Sequence, residues 1–159
     1  MQRKRFSDMP CPIARALDIV GERWTLLILR DVSCGIRRFD ALQERLGIAR
    51  NVLTQRLAWL VEQGLLEKRA YEARPPRYEY RPTEKGRGLF PVLVTLMAWG
   101  ERWSPPDGVT IAVVDKDTGA ALEPVLVDAH TGRPLEPRAM RLQTTVVPRS
   151  RRNRAMRSD

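Results

Sequence analysis

From Pro12 onward, apolar residues recur every three or four positions. Ile13, Ala16, Leu17 and Val20 predict an amphipathic helix that Gly21 ends. A second helix follows, with Trp24, Leu27, Ile28 and Val32 inward and Cys34-Gly35 as its stop. Arg37 to Leu46 predicts a third, with Phe39, Leu42 and Leu46 inward, broken by Gly47. At ~100° per residue the next segment places Leu53, Leu57, Leu60 and Val61 on one face. Asn51, Thr54, Gln55, Ala58 and Glu62 collect on another, and Gly64 closes the helix. The pattern then changes: Leu65 to Tyr71 reads as a strand, Glu72 to Pro76 as a turn and Arg77 to Arg81 as a returning strand. Thr83 to Trp103 reads as one long apolar helix, capped by Thr83 and kinked at Pro91, with Leu89, Leu93, Leu96 and Trp103 inward.

Two helices joined by a short turn at Gly47 describe many helical hairpins. A charged β-hairpin directly after the second narrows the reading, because this is the order of a winged helix-turn-helix, an α+β fold. After Ser104-Pro105-Pro106 the chain repeats itself. Residues 115–124 (DKDTGAALEP) match residues 128–137 (DAHTGRPLEP) at a thirteen-residue spacing. Asp-x-x-Thr-Gly suits a tight turn, and Ile111 to Val114 and Val125 to Val127 would supply strands, giving two stacked hairpins. The expected organisation is a basic N-terminal arm over 1–10, a winged-helix domain with a dimerisation helix over 11–103, a small β-hairpin repeat extension over 107–143, and a basic disordered tail over 148–159.

Composition adds a partner. The chain has 159 residues, 43% of them hydrophobic, which suits one compact domain with a modest appendage. Its net charge is +9, and residues 37–87 hold twelve Lys+Arg against seven Asp+Glu while both flanks of that segment are slightly acidic. Positive charge concentrated on one folded segment, with basic ends, is the footprint of a polyanion. No apolar run approaches the ~20 residues of a membrane helix, so no membrane partner is expected and the cytoplasm is the default location. One histidine, two cysteines, no Gly-rich phosphate loop and no close carboxylate pair leave neither a metal site nor a catalytic constellation to assemble. No cofactor is expected.

For double-stranded DNA, the residues singled out at the start of the fourth helix are Arg50, Asn51, Thr54 and Gln55. Arg pairs two ways with guanine, and Asn or Gln with adenine. Arg38, Lys68, Arg69, Arg74 and Arg77 would meet phosphates or the minor groove. Leu89, Leu93, Leu96, Trp99 and Trp103 make the last helix too apolar for solvent and mark it as the homodimer contact, which would set two reading helices ~34 Å apart. Cys11, with Lys4, Arg5 and Arg15 nearby in sequence, is the candidate redox sensor, against the alternative of a small buried anchor.

The order and identity of these pieces resemble the HxlR-type winged-helix transcriptional regulators, relatives of the MarR group. The matching residues are Cys11-Pro12, the segment 21–30 (GERWTLLILR), Arg37-Arg38-Phe39, the segment 53–57 (LTQRL), Gly64-Leu65, the wing 75–80 (PPRYEY) and the segment 83–86 (TEKG). The resemblance implies a homodimeric regulator, most simply a repressor, on an inverted-repeat operator, relieved by a small-molecule or oxidant signal. In some relatives a cysteine at the place of Cys11 senses oxidants. The alternative is a winged-helix module for non-specific nucleic-acid or protein contact without operator specificity. Ala49 stands where the family often has Ser or Thr, so the recognition helix would lack its usual cap. The C-terminal repeat resembles a zinc-ribbon extension of some members, but without its cysteines it implies no metal, and His130 is expected to be a turn residue.

Overall fold

Pro12 opens the first helix, α1 (Pro12–Val20), at a position where a missing N–H is harmless and its fixed φ is already helical. The computed structural model describes residues 9–104 and 111–141 together with Phe6, Asp107 and Gln143. Residues 1–5, 7 and 8 of the expected arm over 1–10, and the whole expected tail over 148–159, lie outside the described residues. Next comes α2 (Arg23–Ser33), capped by the Glu22 carboxylate, which accepts from the Trp24 N–H at 3.1 Å. It is followed by α3 (Phe39–Leu46) and α4 (Arg50–Glu62). The last ends in a Schellman turn: Gly64 sits at φ +66°, its N–H donates to Val61 O, and the Leu65 N–H donates to Leu60 O, both at 2.9 Å.

The hairpin pairs β1 (Leu66–Ala73) with β2 (Pro76–Pro82) through a two-residue turn at Arg74-Pro75. Register runs from Leu66 opposite Pro82 through Lys68 opposite Tyr80 to Ala70 opposite Tyr78, with a bulge at Tyr71. The sequence pattern missed a third partner. The segment before α3 bridges Arg38 to Glu79, and the Tyr80 N–H donates to Arg37 O at 2.8 Å. Helix α3 therefore starts at Phe39 and not at Arg37, because the backbone of Arg37 and Arg38 is committed to β2. So short a pairing leaves no period to read.

One buried cluster holds these elements together, built from Ile28, Leu29 and Val32 of α2 with Leu42, Ile48, Leu53, Leu57, Leu60, Leu65, Leu66 and Leu93. Each such side chain contributes about 1.5–3 kcal/mol when fully buried. Helix α2 is the hub, touching α1, α3, α4, β2 and the last long helix, α6 (Phe90–Trp103). Its Asp31 is fully buried and accepts from Arg30 Nε at 2.8 Å, with Arg45 Nε of α3 at 3.3 Å. The Trp59 indole donates to Ile19 O at 3.0 Å and ties α4 to α1.

Four expectations change in three dimensions. The Ile13, Ala16 and Leu17 face of α1 points outward, with Ile13 67% exposed, and Ala14 is the buried residue. On α2, Leu27 is outward while Thr25 and Leu29 go into the core. Val61 is exposed, so the core-facing side of α4 is Leu53, Leu57 and Leu60, with Val52 half-buried beside them. The long final helix is two: α5 (Glu84–Arg87), capped by Thr83 Oγ1 accepting from the Gly86 N–H at 3.1 Å, and α6 (Phe90–Trp103). Pro91 does not kink a continuous helix. It lies in the first turn of α6, where it removes no hydrogen bond.

Gly86, inside α5, fixes how closely that helix meets the hairpin. A Cβ there would stand 2.1 Å from Leu65 O, so α5 presses on the base of the hairpin backbone to backbone. Gly86→Ala is expected to lose about 1–3 kcal/mol, the usual overpacking penalty, read as a lower denaturant midpoint. An unchanged midpoint would mean this approach is loose.

The chain forms two compact units, 1–124 and 125–159. In the first, Asp115 closes a turn: Oδ1 accepts from Thr118 Oγ1 and Thr118 N, both at 2.8 Å, and from Asp117 N at 3.1 Å. The Thr118 hydroxyl, then its N–H, hold this carboxyl below the usual range. In the second unit Asp128 does the same with Thr131 and His130, so the lone histidine is a turn residue as expected. Gly119 and Gly132 take the left-handed conformation that each turn requires. Single bridges, Val114 to Ala121 and Val127 to Pro134, replace the expected strands. Pro134 has no N–H with which to continue a ladder.

Candidate nucleic-acid interface

The turn between α3 and α4 is set by Gly47 at φ +60° and by Ile48, which is buried and anchors it. Helix α4 begins at Arg50 with Ala49 as its cap residue, and no side chain accepts from the first-turn N–H groups. Those donors, at the positive end of the helix dipole, are left for another acceptor. Because Leu53, Leu57 and Leu60 take the inner face, Asn51, Thr54 and Gln55 are necessarily exposed. Arg50 is exposed beside them, stacked 4.8 Å from the Phe39 ring centroid and 3.6 Å from the Asp40 carboxylate. Thr54 Oγ1 donates to Arg50 O at 2.9 Å, leaving its methyl group and a lone pair available. Arg56 belongs to neither face. It is half-buried and 3.9 Å from Glu22, bracing α4 against the start of α2.

The hairpin arranges cations on tyrosines, a feature no sequence period announces. Arg38 lies 4.6 Å from the Tyr71 ring centroid, and Lys68 lies 4.1 Å from that of Tyr78. The bulge that leaves Tyr71 unpaired lets it serve as this platform. Arg77 pairs with Glu72 at 3.3 Å, and Arg69 with Glu67 at 2.7 Å. Exposed pairs of this kind contribute only about 0.2–1 kcal/mol, so a phosphate can displace them. Arg74, at the turn, has no ion pair among the described residues. Strand alternation puts Arg69 and Arg77, and Arg38 through its bridge to Glu79, on the face opposite Lys68. The phenol of Tyr80, half-buried against the core, is pushed up by that burial.

The apolar residues of the last helix divide. Leu93 is 7% exposed and Leu89 half-buried, both against the domain's own core. Leu96 (49%), Trp99 (61%) and Trp103 (66%) face outward. The inward placement expected of Leu96 and Trp103 is therefore corrected, because Leu89 and Leu93 are the positions that turn toward the cluster. Cys11 is a half-buried free thiol at the cap of α1, and Cys34 an exposed one at the end of α2. Among the described residues no group of three His, Cys, Asp or Glu side chains is placed to hold a metal ion, and no helix is long and apolar enough to cross a membrane.

Comparison with known proteins fits this geometry. Residues 19–108 match the family model for the HxlR-like helix-turn-helix. An uncharacterized HTH-type transcriptional regulator of Mycobacterium tuberculosis, Rv3095, is 46% identical over 127 residues, covering 79% of this chain and 80% of that protein. The crystal structure of PA1607, described as a candidate transcription factor, superposes with a TM-score of 0.81 at 38% identity over 89% of this chain and 100% of that one. The redox regulator HypR in its reduced form has a TM-score of 0.55 at 30% identity, over 58% of this chain and 92% of its own.

Proposed function

The chain belongs to the HxlR-like helix-turn-helix family, a transcriptional regulator with a helix-turn-helix DNA-binding fold and not an enzyme, and from that premise we propose how it reads DNA. It acts as a homodimeric repressor in the cytoplasm on an inverted-repeat operator. The observation that carries the reading is the exposed edge formed by Arg50, Asn51, Thr54 and Gln55 at the uncapped start of α4, the end of the helix that such folds insert into the major groove. Arg50 is assigned to guanine, Asn51 and Gln55 to adenine, and Thr54 to a thymine methyl group. Arg38, Lys68, Arg74 and Arg77 meet phosphates beside that groove. The outward faces of α1 (Ile13, Leu17) and α6 (Leu96, Trp99, Trp103) supply the dimer contact, since a patch of this kind on a lone domain marks an interaction surface.

Recovery of bound DNA across a genome tests this directly. One palindromic motif, with half-sites separated by about one helical turn, is the expected result. Equal affinity for specific and scrambled duplexes would support a non-specific module instead. Within the same framework, Arg74→Ala weakens binding to every sequence and lowers the salt slope by ~1, whereas Asn51→Ala relaxes preference at one base position by about 1–3 kcal/mol. Binding unaffected by both substitutions would refute this docking. The half-buried Cys11, together with the likeness to HypR, supports oxidant relief of repression at that thiol. Cys11→Ser should then abolish peroxide-dependent release of DNA, and undiminished release would exclude Cys11 as the sensor.

A further inference from the structure

The hairpin face opposite Lys68 carries a groove of about 540 Å³ walled by Arg37, Arg69, Arg81, Arg87, Glu67 and Phe90. That volume lies within the ~300–1,000 Å³ of small-molecule sites. Four guanidinium groups meet one carboxylate in its walls, and their partners are few. Arg69 pairs with Glu67 at 2.7 Å, Arg81 with Glu79 at 2.6 Å, and Arg87 Nη1 donates to Pro82 O at 2.9 Å. Arg37 Nε is buried and has no acceptor among the described residues. An anion entering the groove relieves the mutual repulsion of the four cations. Phe90 adds a half-exposed ring at the wall, an apolar surface beside the charge.

We propose that this groove binds a small organic anion, a carboxylate or phosphate carried on an apolar body that lies against Phe90. Guanidinium forks match the oxygens of either group in a two-point contact, and the arginines stand on different elements: the segment before α3, both strands and α5. Occupancy therefore ties the base of the hairpin to the junction that leads into α6. That consequence for regulation rests on the DNA-binding reading above: the ligand changes DNA affinity to the extent that it prefers one arrangement of hairpin and helix over the other.

Calorimetric titration of the full chain without DNA tests the site, using benzoate, inorganic phosphate and, as an uncharged control, benzamide. Saturable binding of benzoate, weaker binding of phosphate and none of benzamide are expected, with benzoate affinity falling at least tenfold in Arg37→Gln. Arg87→Gln, on an exposed residue, should give the same loss and guards against a folding defect in the first variant. Absence of saturable binding by either anion up to tens of millimolar, or affinity unchanged in both variants, would overturn the proposal. It is equally overturned if the anions fail to bind while Arg37→Gln lowers affinity for every duplex and reduces the salt slope by about one phosphate, since the groove is then a DNA contact. The first arm contains no DNA, so its failure leaves the operator reading standing, and failure to recover an operator leaves anion binding standing.

Discussion

Glutamate at both Leu96 and Trp99 is expected to yield a folded monomer whose affinity for an inverted-repeat duplex falls by ~10²–10⁴-fold, the range by which linking two sites exceeds either alone. Both side chains are outward in the single chain, so the core built on Leu93 is untouched and the far-ultraviolet circular dichroism should be preserved. Two carboxylates on an apolar contact would each have to be desolvated without a partner. Affinity for an isolated half-site should change little, because no residue of the α4 edge is altered. Sedimentation and anisotropy on whole and half sites separate the two effects. A variant that remains dimeric, or a monomer that binds the full site as tightly as the native chain, would remove α6 from the interface.

Leu57→Ala should cost about 2–5 kcal/mol, since a fully enclosed leucine leaves a cavity when truncated. In a domain of about a hundred residues this lowers the unfolding midpoint by roughly ten degrees or more. Val61→Ala is the comparison that gives the experiment its force. Periodicity puts both residues on one stripe, yet Val61 is 36% exposed, so its truncation should cost under ~1 kcal/mol. Equal losses at the two positions would contradict the observed orientation of α4. DNA binding by Leu57→Ala should fail in step with unfolding and recover at lower temperature, which distinguishes a helix that has lost its seat from one that has lost its reading edge.

The contrast between those two residues shows how far a pattern reaches. Helix positions, the glycines that end them and the hairpin were legible because each depends on neighbours within one turn of the chain. Gly64 must be left-handed for α4 to stop, whatever packs nearby. The polar edge from Arg50 to Gln55 was legible for the same reason: once Leu53, Leu57 and Leu60 are committed to the core, the residues between them have nowhere else to go. The outward placement of Ile13 and Leu17 is not legible in the pattern, because a 3.6-residue period says that a stripe is apolar and not which body covers it. On α1 Ala14 is buried and Ile19 and Val20 pack against the domain's own core, while Ile13 and Leu17 are left outside.

Local order along this polypeptide thus follows from its residues: the first four helices, the charged hairpin, the two Asp-x-x-Thr-Gly turns and the exposed polar edge from Arg50 to Gln55. Sequence-distant contact decided the rest. The bridge from Arg38 to Glu79, the approach of Gly86 to Leu65 O, the seating of Arg38 on Tyr71, and the gathering of Arg37, Arg69, Arg81 and Arg87 around one groove all join residues whose separation carries no period. Backbone geometry propagates only a few residues along a chain, whereas packing selects among faces that local energetics leave nearly equivalent.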